Sequence, residues 1–370
     1  MIGRVQIMKR NKFKSVVGAG LISLALAGCG TNTDEGAASN VDANDSLDTI
    51  IEKAKTEGEI ASVGMPDTWA NWVETWDEME QEYGITQTDT DMSSAEELAK
   101  FESEGKNGTA DIGDVGINFG PLAENKGLTL QYKTSYWDEI PEWAKDDNGD
   151  WLLSYTGTIA FITDKQNVEK APTSWAELAN GDYSVSVGDV TKATQAQFGV
   201  LAAAIANGGD ETNIQPGIDY FKEFAKEGRL TSAEANIANL EKGEIDVAIV
   251  WDFNGLNYRD QIDSERFDVT IPTDGTVMSG YTTVINKNAP HPNAAKLARE
   301  YILSDEGQIN LAKGYARPIR DVELPEDVKA KLLPDEAYKN VSQVEEHEAW
   351  DQTAIELPQL WQQEVLVNAQ

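Results

Sequence analysis

The 370 residues contain two histidines and one cysteine, a small stock for reactive chemistry. His291 stands between two prolines, and His347 sits in the acidic run Gln343-Val344-Glu345-Glu346-His347-Glu348. Neither is paired with a motif-placed nucleophile, as acid–base or covalent catalysis would need. His347-Glu348 lacks the second histidine of a zinc-protease helix, and the sequence carries no Gly-rich phosphate loop or dinucleotide fingerprint. A secreted hydrolase working through paired carboxylates is the reading of another class, because 64 acidic residues always permit some pair. The better-placed groups are carboxylates near aromatic rings: Asp67 with Trp69, and Trp251 followed by Asp252, with Asp114 and Asp189 in comparable positions. Such sets cage an alkylammonium by ion pairing and cation–π contact, each ring worth ~0.5–2 kcal/mol.

Those residues are placed by alternating helical and strand periods. Apolar positions at helical spacing over 47–55 predict a helix, 59–64 a strand closed by a turn at 64–67, and 70–83 an amphipathic helix. Residues 111–116 form the next predicted strand, ending in the turn that holds Asn118 and Phe119. Residues 183–187 lead into a turn with Asp189, Lys192 and Thr194, then a helix over 195–206 that begins at Gln195. Residues 245–250 lead into Trp251, Asp252 and Asn254. Strands alternating with helices imply an α/β fold with mostly parallel sheets, whose ligands lie beyond the carboxyl ends of the strands. The loops after these strands are therefore candidate binding loops together. At the start of the 195–206 helix, free amides and Lys192 could hold an anion, and plain capping by Thr191 or Thr194 accounts for the same residues. The turn 146–150 has a calcium-loop flavour but lacks the closing glutamate, and reads as an acidic turn.

A net charge of −34 excludes general electrostatic binding to nucleic acid or anionic lipid. A single cysteine excludes an intrachain disulfide framework. At 40% hydrophobic and 25% charged the composition is that of a globular chain, with length for about two compact units. The first residues carry Arg4, Lys9, Arg10, Lys12 and Lys14 without an acid, then an apolar run over 16–26. This has the form of a secretory leader, too short for a hydrocarbon core that needs about 20 residues. Leu26-Ala27-Gly28-Cys29 resembles a bacterial lipobox, which implies removal of 1–28 and a diacylglyceryl group on Cys29. Acyl chains buried at ~0.8 kcal/mol per methylene would anchor the protein to the outer face of the membrane. Residues 29–45, small and polar, read as a flexible tether.

The order of these elements, with Trp151-Leu152-Leu153-Ser154-Tyr155-Thr156-Gly157-Thr158-Ile159, Pro172-Thr173-Ser174-Trp175-Ala176-Glu177-Leu178, Pro290-His291-Pro292-Asn293-Ala294-Ala295 and Gly314-Tyr315-Ala316-Arg317-Pro318-Ile319, resembles the type II periplasmic-type solute-binding proteins of ABC importers. The likeness spans roughly residues 46 to 365 and is nearest to the ferric-iron, polyamine and organophosphonate branch. It implies a two-lobed α/β fold: lobe 1 from 46–158 plus 280–345, lobe 2 from 159–279, and a C-terminal helical segment over 346–370 packing on the lobes. The hinge would have two crossings, near Gly157-Thr158-Ile159 and Ser279-Gly280-Tyr281, which brings Tyr155, Thr156 and Tyr281 to the cleft. Arg317 would approach the cleft as well. The resemblance further implies a monomeric, lipid-anchored, extracytoplasmic binding component without catalysis, cofactor or resident metal, which hands a small charged solute to a membrane permease. The acids and aromatics favour a polyamine such as spermidine or putrescine. Lys192, Arg317 and the start of the 195–206 helix leave a phosphonate or phosphate open, and a ferric chelate is the third option. Bare ferric ion would want adjacent tyrosines, and the sequence has no Tyr-Tyr pair.

Overall fold

The computed structural model describes residues 45–369. The expected leader, the lipidation site Cys29 and all of the tether but Asp45 lie outside the described residues. The strands are β1 Glu59–Val63, β2 Thr86–Thr90, β3 Ile112–Gly116, β4 Trp151–Asp164 and β5 Val185–Ser186, followed by β6 Val247–Trp251, β7 Phe267–Thr270, β8 Thr276–Ile285, β9 Arg317–Pro318 and β10 Val341–Ser342. They join in the order β2-β1-β3-β8-β4-β6-β5, with β7 and β9 also paired to β4 and β10 to β8.

The flanks of this sheet are parallel: β1 with β2 and β3, and β5 with β6. Its centre is antiparallel, because β8 pairs with both β3 and β4, and β4 with β6 and β7. The sheet is therefore mixed, not mostly parallel. The difference comes from the two long strands, 14 and 10 residues, that carry the chain from one flank to the other and back. Gly157 lies opposite Ser279 and Thr156 opposite Gly280, so the two expected crossing segments are neighbours in one ladder. Gly280 permits this closeness, since a Cβ there would collide with the Tyr155 carbonyl oxygen.

Strands β3 and β6 are buried at every position, and β4 at every position after Trp151, as befits strands covered on both faces. On the β1–β3 flank the helix Ser94–Glu104 covers a small core of Val63, Leu98, Phe101, Val115 and Val284. A matching core of Ile162, Leu240, Ile245, Val250 and Phe267 lies on the β6 flank. The largest cluster fills the remaining interior and includes Trp72, Tyr155, Phe198, Trp251 and Trp350. The C-terminal helix His347–Glu364 places Trp350 4.9 Å from Phe198 and Trp361 5.4 Å from Phe221, so it packs against the β5–β6 flank. No helix among the described residues is long and apolar enough to cross a membrane.

Local departures from the predicted boundaries have local causes. The helix expected from residue 70 begins as Trp72–Tyr83, because Ala70 and Asn71 hold φ of 47° and 60°. The strand expected over 183–187 is hydrogen-bonded as strand only at Val185–Ser186, and the following helix starts one residue early, as Thr194–Ala206.

Candidate functional site

The loops at the carboxyl ends of β1, β2 and β5, with Tyr258 from the helix Asp252–Ile262 after β6, converge on a cavity of about 330 Å³. Trp69 enters it from the loop after β1. Its position is set by the left-handed Ala70-Asn71 pair, a conformation that costs non-glycine residues energy and that concentrates at functional loops. Asn71 Nδ2 donates to the Asn310 carbonyl at 3.0 Å and holds this turn down. Trp69 Nε1 donates to Tyr155 Oη at 2.7 Å, and Tyr155 Oη donates to Asp114 Oδ2 at 2.6 Å. Trp69 also meets Tyr281 edge-on at 5.3 Å, and Tyr281 stacks on Tyr155 at 5.7 Å. With Phe253 edge-on at 5.4 Å, the indole is held by one hydrogen bond and two ring contacts.

The loop after β2 supplies Asp91, Ser93 and Ser94, and the helix that follows supplies Glu96 and Glu97. Ser93 and Glu96 form a reciprocal capping box, which fixes the start of that helix and brings Glu97 to the cavity floor. From the other flank come Asp189, Lys192, Thr194 and Gln195, with Glu234 and Tyr258. Asp189 accepts from the Thr191 amide at 2.9 Å and from its hydroxyl, an internal turn bond. Gln195 Oε1 accepts from the Trp251 amide at 2.9 Å and Asn254 Nδ2 at 2.8 Å, so its acceptor is engaged. Lys192 Nζ lies 3.5 Å from Glu96 and 3.8 Å from Asp189.

The two flanks touch around the cavity. Asn118 Nδ2 donates to Gln197 Oε1 at 3.0 Å, Asn257 Nδ2 to the Thr68 carbonyl at 2.7 Å, and Tyr315 Oη to Asp260 at 2.6 Å. Thr194 Oγ1 lies 3.4 Å from both Ser94 Oγ and Asn118 Oδ1.

Of the residues singled out from sequence, Trp69, Asp189, Lys192, Thr194, Gln195 and Tyr281 line this cavity together, with Asp114. The others lie elsewhere. Asp67 is exposed and outside the lining. Asn118 and Phe119 border a separate apolar hollow of about 210 Å³ shared with the C-terminal helix. Tyr155 is fully buried beneath Trp69, and Thr156 is enclosed in the β4–β8 ladder. Trp251 is fully buried, stacked at 6.4 Å on Phe253, because it ends an apolar strand that points its last ring inward. Its Nε1 donates to Tyr281 Oη at 3.2 Å, so it supports the site from behind. Asp252 is buried and accepts from the Thr158 amide at 2.8 Å and Tyr338 Oη at 2.6 Å. Asn254 is spent on Gln195. Arg317 lies 3.9 Å above the Tyr338 ring beside Asp252, away from the cavity.

The residues missed by sequence reading are Asp91, Ser94, Glu96, Glu97, Glu234 and Tyr258. Strand β2 reads Thr-Gln-Thr-Asp-Thr, without an apolar run, so its terminal loop carried no strand signal. The spacing Ser93…Glu96 was a legible helix start. His291, by contrast, is a fastener: its Nδ1 lies 2.9 Å from buried Asp111, which also accepts its amide at 2.6 Å. In the 146–150 turn, oxygens of Glu124, Asp146 and Asp150 lie within 4.8 Å of one another. Asp146 is taken up by the Asn148 and Asp150 amides, and Asp150 by Thr129 and Gln131.

The electrostatics of the cavity are one-sided. Asp91, Glu96, Asp189 and Glu234 stand round it, Glu97 and Asp114 at its floor, and Lys192 is the one base among the described lining residues. Burial raises the carboxyl pKa of Asp89 and Asp91, and raises Glu97 and Asp114 well above the usual carboxylate range.

Known proteins with this arrangement are binding proteins. Residues 107–345 match the family model of bacterial extracellular solute-binding proteins. A sulfate-binding protein of Escherichia coli K12 is 27% identical over 195 residues, which cover 50% of this chain and 57% of that one. The chain thus matches little more than half the length of such relatives. Among solved structures, the periplasmic binding protein AfuA of Actinobacillus pleuropneumoniae, with fructose-6-phosphate bound, superimposes with a TM-score of 0.70 at 18% identity, over 83% of this chain and 98% of that one. A ferric binding protein of Campylobacter jejuni gives 0.62 at 20% identity, over 82% and 98%. The fold is therefore the two-lobed α/β architecture of periplasmic binding proteins, and the chain belongs to the bacterial extracellular solute-binding protein family.

Proposed function

We propose that this protein is the extracytoplasmic capture component of an ABC importer, anchored through Cys29, and that its solute is a small organic cation of the polyamine type. The observation that carries the cationic reading is the cavity's charge: six carboxylates against one lysine, which two of them already engage, with Trp69, Tyr258 and Tyr281 as aromatic wall. Strand-end loops from both flanks contribute to that wall, so a solute in it contacts both lobes only when they are together. Binding then shifts the open–closed equilibrium by the free energy of those added contacts. The lobes are taken as 46–158 with 280–345 and as 159–279, and a permease in the same membrane receives the loaded form. No bond of the solute changes.

A second reading, an oxyanion or phosphonate, is favoured by the sulfate-binding relative and by the start of the Thr194–Ala206 helix beside Lys192. Melting curves of the purified protein with spermidine, putrescine, aminoethylphosphonate, sulfate and ferric citrate separate the readings, since a ligand at 100 times its Kd adds about 2.7 kcal/mol to stability. The amines are expected to raise the midpoint. A rise with sulfate or the phosphonate alone would replace the cationic reading with the anionic one.

A further inference from the structure

Glu97 and Asp114 differ from the acids at the rim. Each is only 1% exposed, and both line the cavity. Glu97 Oε2 and Asp114 Oδ1 are buried without a hydrogen bond of good geometry among the described residues, while the Trp72 indole beside Asp114 and the Asp114 amide beside Glu97 offset part of the burial cost of the two carboxyls. A buried acceptor left in this state costs ~1–3 kcal/mol, more when charged. The backbone is built to admit the pair. A Cβ on Gly113 would stand 2.6 Å from Glu97 Oε2, and one on Gly64 would stand 2.8 Å from Glu97 Cδ. Asp114 is oriented from the other side, because its Oδ2 is held by Tyr155, itself held by Trp69.

We propose, resting on the cationic reading, that Glu97 and Asp114 form the subsite for a primary ammonium group, and that seating this group expels one proton from the pair. An ammonium offers three N–H donors on a compact head, enough for an oxygen from each carboxyl. A quaternary ammonium brings the same charge and no donor. The groups that face the pair add no cation. Asp89 and Asp91 face it from the β2 side, Tyr155 from β4 and Tyr281 from β8. Lys192 remains at the rim between Glu96 and Asp189. Burial raises both carboxyls, Glu97 further through Asp114, Asp89 and Asp91 and Asp114 further through Asp89, which favours a shared proton on the pair in the empty site. In the proposed scheme the empty pair carries one proton and one negative charge. The loaded pair carries two negative charges and the ammonium, and the displaced proton passes to solvent.

Titration calorimetry of putrescine into the wild-type protein, in two buffers of different ionisation enthalpy, counts the protons. About one should be released, and affinity should rise with pH while release persists. In Glu97→Gln the release should vanish and putrescine affinity fall roughly ten- to a hundredfold. Hexamethonium, a diquaternary probe, should bind wild type far more weakly than putrescine. Putrescine binding without proton release, or hexamethonium binding as tightly as putrescine, overturns the subsite and leaves the cationic reading standing. Failure of every amine to bind the wild-type protein removes both. The proton count needs no variant, so a folding defect in Glu97→Gln would not obscure it.

Discussion

A methyl group added at Gly116 tests whether the contact between the flanks is the closed state of a hinge. Gly116 ends β3 and does not line the cavity, yet a Cβ there would stand 2.5 Å from the Thr194 Cβ and closer still to its Oγ1 and Cγ2. Ordinary contact begins at 3.4 Å. The Thr194 Cβ is fixed by its backbone, so no side-chain rotation relieves the clash, and the flanks must separate by about 1 Å or more. Overpacking of this kind costs ~1–3 kcal/mol. If opening relieves it, Gly116→Ala lowers solute affinity about 5- to 150-fold, because the cost falls on the closed state alone. Calorimetry with the solute identified by melting curves measures the affinity, and small-angle scattering measures the opening. Adding Thr194→Gly removes all three clashing atoms and should restore much of the loss. Wild-type affinity in Gly116→Ala would refute the hinge reading of this contact. So would a lowered melting point of the empty protein equal to the whole expected cost, since the strain would then reside in the fold rather than in closure.

Trp251→Ala should destabilise the protein by ~3–5 kcal/mol in chemical denaturation, as expected for a fully buried ring packed on Phe198 and Phe253; an unchanged midpoint would contradict its core placement. Arg299 is fully buried and donates to the carbonyls of Tyr132, Gly149, Asp150 and Thr283. Arg299→Met should cost at least ~3 kcal/mol and raise amide exchange over 132–150, where three of the four acceptors lie. The Asp351 carboxyl is pushed up to about 6 by burial and then by Glu348. The folded state therefore holds more protons there than the unfolded chain, and this group's contribution falls as pH rises through about 6; Asp351→Asn should flatten the melting profile from pH 4 to 7.

Apolar strands closed by turns made β1, β3, β5 and β6 visible in the sequence, and with β1 and β5 the strand-end placement of Trp69, Asp189 and Gln195. Helix–strand alternation said nothing of direction, so the antiparallel pairing of β4 and β8 was not legible. Strand β2 was hidden because an edge strand of Thr, Gln and Asp has no apolar face to announce it, and Asp91, Glu96 and Glu97 beyond it were hidden too. Which of two similar Trp-Asp sites faces the cavity is decided by packing. Trp69 is held out by two left-handed residues, whereas Trp251 continues the buried side of its strand. Asn254 and Asp252 were credited to a ligand but are consumed by Gln195, Thr158 and Tyr338, partners far away in the chain.

The side-by-side passage of β4 and β8 has a mechanical consequence. Two covalent connections joined by their own ladder behave as a short ribbon that resists bending in its plane and yields mainly in torsion. If the lobes part as proposed, such a ribbon would keep them aligned on one axis and spare them a rotational search before meeting. Capture would then lose little orientational entropy, and the coil of the β4–β8 ladder rather than slack in a linker would set the resting gape.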